Sequence, residues 1–331
     1  MKKEKVKEIL KILYPNAKLN LNLFIGEKEK TWWDDYYHKI LSIMVPIDLY
    51  DRIIIERGKF EVKYKFMDIN NINMKNISGK SYEYLKNMEL QKTRYDDNKT
   101  IEIENCIIRK VLKILDINEE KLNYKITIEK NIPLASGLGG ASSDAAFFVK
   151  FLIEENIVKF KSEKEIFKKL CQIGSDVPFF YVNKPSIVSG FGEKVFPLNM
   201  IFNLYFVIIQ PFSKISTKIM YEELDNYSNR KILHKIERKK NIKRYKKNLQ
   251  NKKNYAFYLR EIAGNDFESV ITNRIYSYHE VTKDFKKSLF AQITGAGSSI
   301  FGVFQDFKDA KECYDYLKNI HGRVYICSCK T

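Results

Sequence analysis

Residues 133–146 read Pro133-Leu134-Ala135-Ser136-Gly137-Leu138-Gly139-Gly140-Ala141-Ser142-Ser143-Asp144-Ala145-Ala146, three glycines and a serine pair ahead of an apolar run. The stretch before it, residues 122–130 (LNYKITIEK), alternates apolar and polar side chains as a strand does, and residues 146–158 continue as a helix. The order is strand, glycine loop, helix. A helix start presents unpaired N–H groups with partial positive charge, and glycines let that backbone approach an anion closely. Ser142 and Ser143 add hydroxyl donors. Neither familiar phosphate loop fits: no lysine follows Gly139 or Gly140 as a Walker A loop needs, and Ser142 stands where the dinucleotide fingerprint has its third glycine. Taken alone, the glycines can equally form only a tight turn.

Three other stretches bear on that choice. Gly174-Ser175-Asp176-Val177-Pro178-Phe179-Phe180 frames an aspartate with apolar neighbours, which disfavour its charge, although an Asx-turn reading also stands. Asn16-Ala17-Lys18-Leu19-Asn20 puts a lysine and an asparagine on one face of a strand, where a lone lysine ordinarily marks an edge. Thr294-Gly295-Ala296-Gly297-Ser298-Ser299 is a second glycine turn, able to close over a ligand or simply to form a hairpin.

In this order the four stretches resemble the GHMP kinase superfamily. The resemblance implies an α+β, two-domain fold: an N-terminal ATP-binding domain with a mixed sheet (1–198) and a C-terminal α/β sandwich domain (199–331). It implies that Pro133, Leu134, Ala135, Ser136, Gly137, Leu138, Gly139, Gly140, Ala141, Ser142 and Ser143 hold the ATP phosphates, with Lys18 supplying the positive charge the loop lacks. Residues 17–25, 36–55, 137–146, 173–198 and 293–304 are further similar to the branch that phosphorylates 4-(cytidine 5′-diphospho)-2-C-methyl-D-erythritol. On that likeness Asp176 is the general base at the C2 hydroxyl, Lys18 steadies it, and magnesium arrives as MgATP rather than in a protein metal site. A sister kinase acting on mevalonate or another small alcohol would keep Lys18, the loop and Asp176.

For the cytidyl end, the resemblance assigns Tyr37 and His38, with Tyr221 as a stacking aromatic and Asn20 and Thr217 as polar contacts. Stacking is worth roughly 1–3 kcal/mol per base where it has been measured in single-strand binders. Gly295 and Gly297 would form the turn beside the site. The family's Asp-Gly-Tyr-His is replaced by Asp34-Asp35-Tyr36-Tyr37-His38, which implies a differently shaped loop after Trp32-Trp33. Asp144, an acid beside expected phosphates, reads as a first-turn residue suited to the helix dipole, its side chain turned away.

The bulk numbers agree with a globular enzyme: 331 residues, 44% hydrophobic and 14% aromatic. The net charge of +17 would suggest nucleic acid, but twelve Lys/Arg against Glu237 between residues 230 and 253 account for +11 of it. That stretch reads as a solvated insertion; Tyr245 is its one aromatic, which points away from nucleic acid as the partner. Five scattered cysteines suggest no disulfide framework, and Cys327-Ser-Cys329 with His321 reads as small residues of a terminal strand rather than a metal site. With neither a signal-peptide core nor a membrane-length apolar run, the cytoplasm is the expected location; oligomeric state is left open. Further expectations are an N-terminal helix with Val6, Ile9, Leu10 and Leu13 on one face, two strands around Arg57-Gly58, helices at 80–93, 99–117 and 161–174, strands at 204–211 and 323–328, and a helix at about 307–320.

Overall fold

Side chains alternate across a strand, so a strand with two buried faces serves two neighbours at once. In β1 to β3 (Ile9–Leu13, Asn16–Lys30 and Tyr36–Tyr50) the second strand shows this most clearly. Ala17, Leu19 and Leu21 enter one apolar core, and Lys18, Asn20 and Asn22, all buried, take the alternate positions. The structure is a computed structural model and describes residues 9–66, 101–102, 106–198, 203–211, 215–226, 247, 249, 255–275 and 277–329.

The remaining strands are β4 (Arg52–Arg57), β5 (Glu61–Phe66), β6 (Ile101–Glu102), β7 (Tyr124–Lys130), β8 (Ser186–Gly190), β9 (Lys194–Pro197), β10 (Tyr205–Ile209), β11 (Phe290–Ile293), β12 (Ile300–Phe304) and β13 (Val324–Ser328). They form three sheets, in orders β1-β4-β7-β5-β6, β2-β3-β8-β9 and β11-β12-β10-β13. The first is mixed, because β5 runs parallel to β7; the other two are antiparallel. Helices α1 (Ile107–Ile114), α2 (Gly140–Glu154), α3 (Glu163–Ile173) and α4 (Val177–Val182) pack with the first sheet, where Ile53, Ile55, Ile126 and Ile128 meet Phe148, Phe151 and Leu152. A second core lies between the other sheets, joining Leu19, Leu21, Leu41 and Ile43 to Phe206, Ile208, Phe301 and Val303. Later helices include α5 (Thr217–Asp225), α6 (Tyr255–Ile262), α7 (Glu268–Arg274), α8 (Tyr278–Lys283) and α9 (Phe307–Lys318).

Several expectations are corrected. Residues 9–13 form a strand, not a helix, because they pair with Glu56 to Ile53 at the sheet edge; a short apolar run carries either period, and a partner decides. The two strands expected around Arg57-Gly58 are present as β4 and β5, with β7 lying between them in the sheet. The helix expected from residue 99 starts at Ile107, after the short strand at 101–102. The helix expected at 80–93 and most of the basic stretch lie outside the described residues. Of the two described residues in the stretch, Lys247 is exposed and Leu249 is fully buried in the second core, so the stretch is not solvated at Leu249.

Candidate active site

Lys18 sits in β2, an edge strand of its sheet, as a lone lysine in a strand suggests. Yet it is only 2% exposed. The glycine loop and the 294–299 turn cover it. Its backbone N–H donates to Leu138 O at 3.0 Å, and Nζ donates to Gly137 O at 2.9 Å and to Asn20 Oδ1 at 2.5 Å. Nζ also lies 3.4 Å from Asp176 Oδ2. The ammonium thus stands between the loop and the aspartate, held there by three oxygens.

Asp176 occupies the turn between α3 and α4. Its carboxylate makes no capping bond to the short helix it precedes, so it faces Lys18 instead, with its side chain 29% exposed. Gly192, in the turn joining β8 to β9, backs this turn: a Cβ there would stand 2.0 Å from Ser175 O, so only glycine permits the approach. The loop itself has Gly139 as the helix N-cap, and Ser143 N–H bonds back to Gly139 O at 2.9 Å. Gly137 is left-handed, with φ +80°, and an added Cβ would meet Thr294 O at 2.3 Å. Ser299 N–H donates to Ser136 O at 3.1 Å. The 294–299 stretch is therefore both a β11–β12 hairpin turn and a neighbour of the loop, two readings that the sequence alone set against each other.

Not every loop residue points outward. Ser136, Leu138 and Ser143 are buried, Ser142 is half-buried and Ala141 is exposed. The Ser143 hydroxyl has no hydrogen-bond partner among the described residues. Asn20 is buried and bonded to Lys18, to Ser42 Oγ at 2.8 Å and, through Thr294 Oγ1, to the hairpin at 3.3 Å, so its side chain braces the lysine. Thr294 was not singled out, although it opens the quoted glycine turn.

The expectation that Asp144 is a first-turn residue is corrected, although its side chain is turned inward. It lies beyond the first turn of α2, which contains no acid, and the dipole does not account for it. Beneath the loop its Oδ2 accepts from Lys130 Nζ at 2.7 Å, and the same ammonium bonds Asp51. Asp51 Oδ1 in turn accepts the Asn131 and Ile132 N–H groups at 2.6 and 2.8 Å, fixing the chain just before Pro133. Burial pushes the Asp144 carboxyl up to about 7, against the pull of Lys130 and with the push of Asp51. Burial opposes the Lys130 charge, but Asp144 and Asp51 together hold its pKa above the usual lysine range.

At the far end of the β2–β3 ladder, His38 is stacked on Tyr221 of α5, ring centroids 4.9 Å apart and planes 10° from parallel. Tyr37, its neighbour on β3, is 43% exposed and its ring lies 5.6 Å from that of Trp33. Trp32 and Trp33 also contact Phe191, so the altered Trp32–His38 loop folds onto the β8–β9 turn. Thr217 is exposed, one turn before Tyr221. Sequence reasoning passed over Asp225, which faces His38 at 3.2 Å; the signal was its place four residues after Tyr221, on the same helix face.

The model of the GHMP kinases N terminal domain matches residues 105–184. The chain is 30% identical over 318 residues to 4-diphosphocytidyl-2-C-methyl-D-erythritol kinase of Clostridium novyi, covering 94% of this chain and 96% of that one. It is 30% identical over 310 residues to the enzyme of that name from Thermosipho africanus, covering 89% and 90%. Among solved structures, a 4-(cytidine 5′-diphospho)-2C-methyl-D-erythritol kinase superposes with a TM-score of 0.64 at 18% identity, over 97% of this chain and all of that one, which speaks to the fold. The chain belongs to the 4-diphosphocytidyl-2-C-methyl-D-erythritol kinase family of the GHMP kinases, ATP-dependent phosphotransferases that act on small molecules.

Proposed function

We propose that this chain transfers the γ-phosphoryl group of ATP to the C2 hydroxyl of 4-(cytidine 5′-diphospho)-2-C-methyl-D-erythritol. The observation that carries the reading is the Lys18 ammonium, placed between the glycine loop and the Asp176 carboxylate. Phosphates would lie against the first-turn amides of α2, where N–H groups lack helical partners. Asp176 accepts the proton of the alcohol as its oxygen bonds to phosphorus and the bond to the ADP oxygen breaks. Lys18 offsets the charge that develops on the transferring oxygens. In a loose transition state such positioned charges do most of the work.

No group of three or more acid, histidine or cysteine side chains gathers among the described residues. Magnesium would arrive with the nucleotide, carried on its phosphates as MgATP. ATP-binding and catalysis are assigned to 1–198, and 199–331 supplies Tyr221, Thr217 and the hairpin that closes over the loop. No described helix is long and apolar enough to cross a membrane; a small-molecule substrate and five free cysteines suit a cytoplasmic enzyme.

The test is ATP-dependent ADP release from the purified protein with three acceptors: the cytidylated methylerythritol, the same polyol without its nucleotide, and mevalonate. Turnover confined to the first supports the reading. Turnover with mevalonate, or with none, overturns it in favour of a sister kinase of the same fold.

A further inference from the structure

Both nitrogens and one face of the His38 imidazole meet protein groups. Nδ1 lies 2.9 Å from Gly26 O and Nε2 lies 3.2 Å from Asp225 Oδ2, both acceptor oxygens, so both contacts are hydrogen bonds when the ring carries both protons. One ring face is covered by Tyr221, and the side chain is 5% exposed. Tyr221 and Asp225 come from one helix, four residues apart, so the stacked ring and the carboxylate reach His38 as a unit. Phe267 meets the Tyr221 ring at 4.9 Å and 82°. Phe267 is itself buried and tied to the same ladder: its N–H donates to Asn265 Oδ1, and Asp266 Oδ2 accepts the Ile25 N–H at 2.6 Å.

We propose that Asp225 is a positioning residue for the nucleoside end of the substrate. With Gly26 O it clamps the His38 ring, and the clamped ring fixes the plane of Tyr221 and docks α5 on the β2–β3 ladder. The imidazole nitrogens then do not read the base edge; His38 contributes a plane and its backbone. This rests on the cytidylated substrate proposed above. It differs from an edge-reading histidine in a measurable way, because a clamp affects any base stacked near Tyr221, whereas an edge contact separates cytosine from uracil.

Steady-state kinetics with the cytidylated substrate and its uridylated analogue test it. Asp225→Ala should raise KM for both nucleotidyl substrates by about tenfold, the scale of one charged hydrogen bond, with kcat and the KM for ATP changed less than about twofold. Asp225→Asn, which keeps an acceptor oxygen, should recover most of the loss. His38→Ala combined with Asp225→Ala should be no worse than His38→Ala alone, since both remove one clamp. An unchanged KM in Asp225→Ala, a fall in kcat with ATP affinity, an additive double variant, or loss confined to the cytidylated substrate would each overturn the clamp. Asp225 is exposed, so Asp225→Ala should remain folded at the assay temperature, and thermal denaturation separates misfolding from lost positioning. Wild-type protein that fails to turn over the cytidylated substrate would instead overturn the substrate reading itself.

Discussion

Lys18 bonds Asn20 Oδ1 and Gly137 O from a site almost closed to water, while Asp176 stands partly open beside it. The two residues should therefore fail differently when replaced. Asp176→Asn keeps the shape of the turn and leaves no buried group orphaned, so turnover should fall by roughly 10²–10⁴-fold with little change in melting temperature. Lys18→Met leaves Gly137 O without this donor, at a cost of about 1–3 kcal/mol, and Asn20 Oδ1 with only the Thr294 hydroxyl, so it should lower both turnover and the melting temperature. Kinetics beside thermal denaturation check this; near-normal turnover in Asp176→Asn would remove it as the base. Both residues were legible in the sequence, Lys18 from its place in an apolar strand and Asp176 from its Gly-Ser-Asp-Val-Pro setting. Their 3.4 Å approach was expected only through the family resemblance, because 158 positions separate them and no local pattern records that contact.

At the scale of elements, the strand–loop–helix unit around Pro133 follows from local rules: alternation in β7, glycines in the loop, an apolar helix after it. What fixes it to the rest is the buried Asp51–Lys130–Asp144 cluster. The folded Asp144 holds its proton up to about pH 7, whereas the unfolded chain releases it near the ordinary value of 3.8. Between those values the folded state binds more protons, so this group makes stability fall as pH rises through the window. Asparagine at 144 cannot ionise. Urea denaturation should thus show the stability of Asp144→Asn relative to wild type rising between about pH 5 and 7.5; a constant difference would mean that Asp144 is ionised throughout. This cluster was not legible, since Asp51, Lys130 and Asp144 lie on three elements and each alone looks like an ordinary surface charge.

For the whole molecule, the charge excess sits in 230–253, and most of that stretch lies outside the described residues. Replacing the lysines and arginines of 230–246 by glutamine should leave turnover within about twofold, because none of them belongs to the candidate site. Leu249→Ala, in contrast, should lower stability by about 2–5 kcal/mol, since it empties a fully buried position in the core between the second and third sheets. A lost salt-dependent RNA affinity in the glutamine variant, with turnover intact, would make the basic stretch a second binding function.

The sequence by itself determined the strand–glycine-loop–helix unit and the strand that carries Lys18, through local periods, and the α+β class and the candidate base Asp176, through the motifs that carry the family resemblance. Only the tertiary structure decided that residues 9–13 are a strand, that β7 separates β4 from β5, that Asn20 braces Lys18 rather than standing open, and that Asp225 and Gly26 enclose His38. These depend on which distant groups share a buried space, where hydrogen bonds and ion pairs must be completed, and no spacing along the chain encodes that.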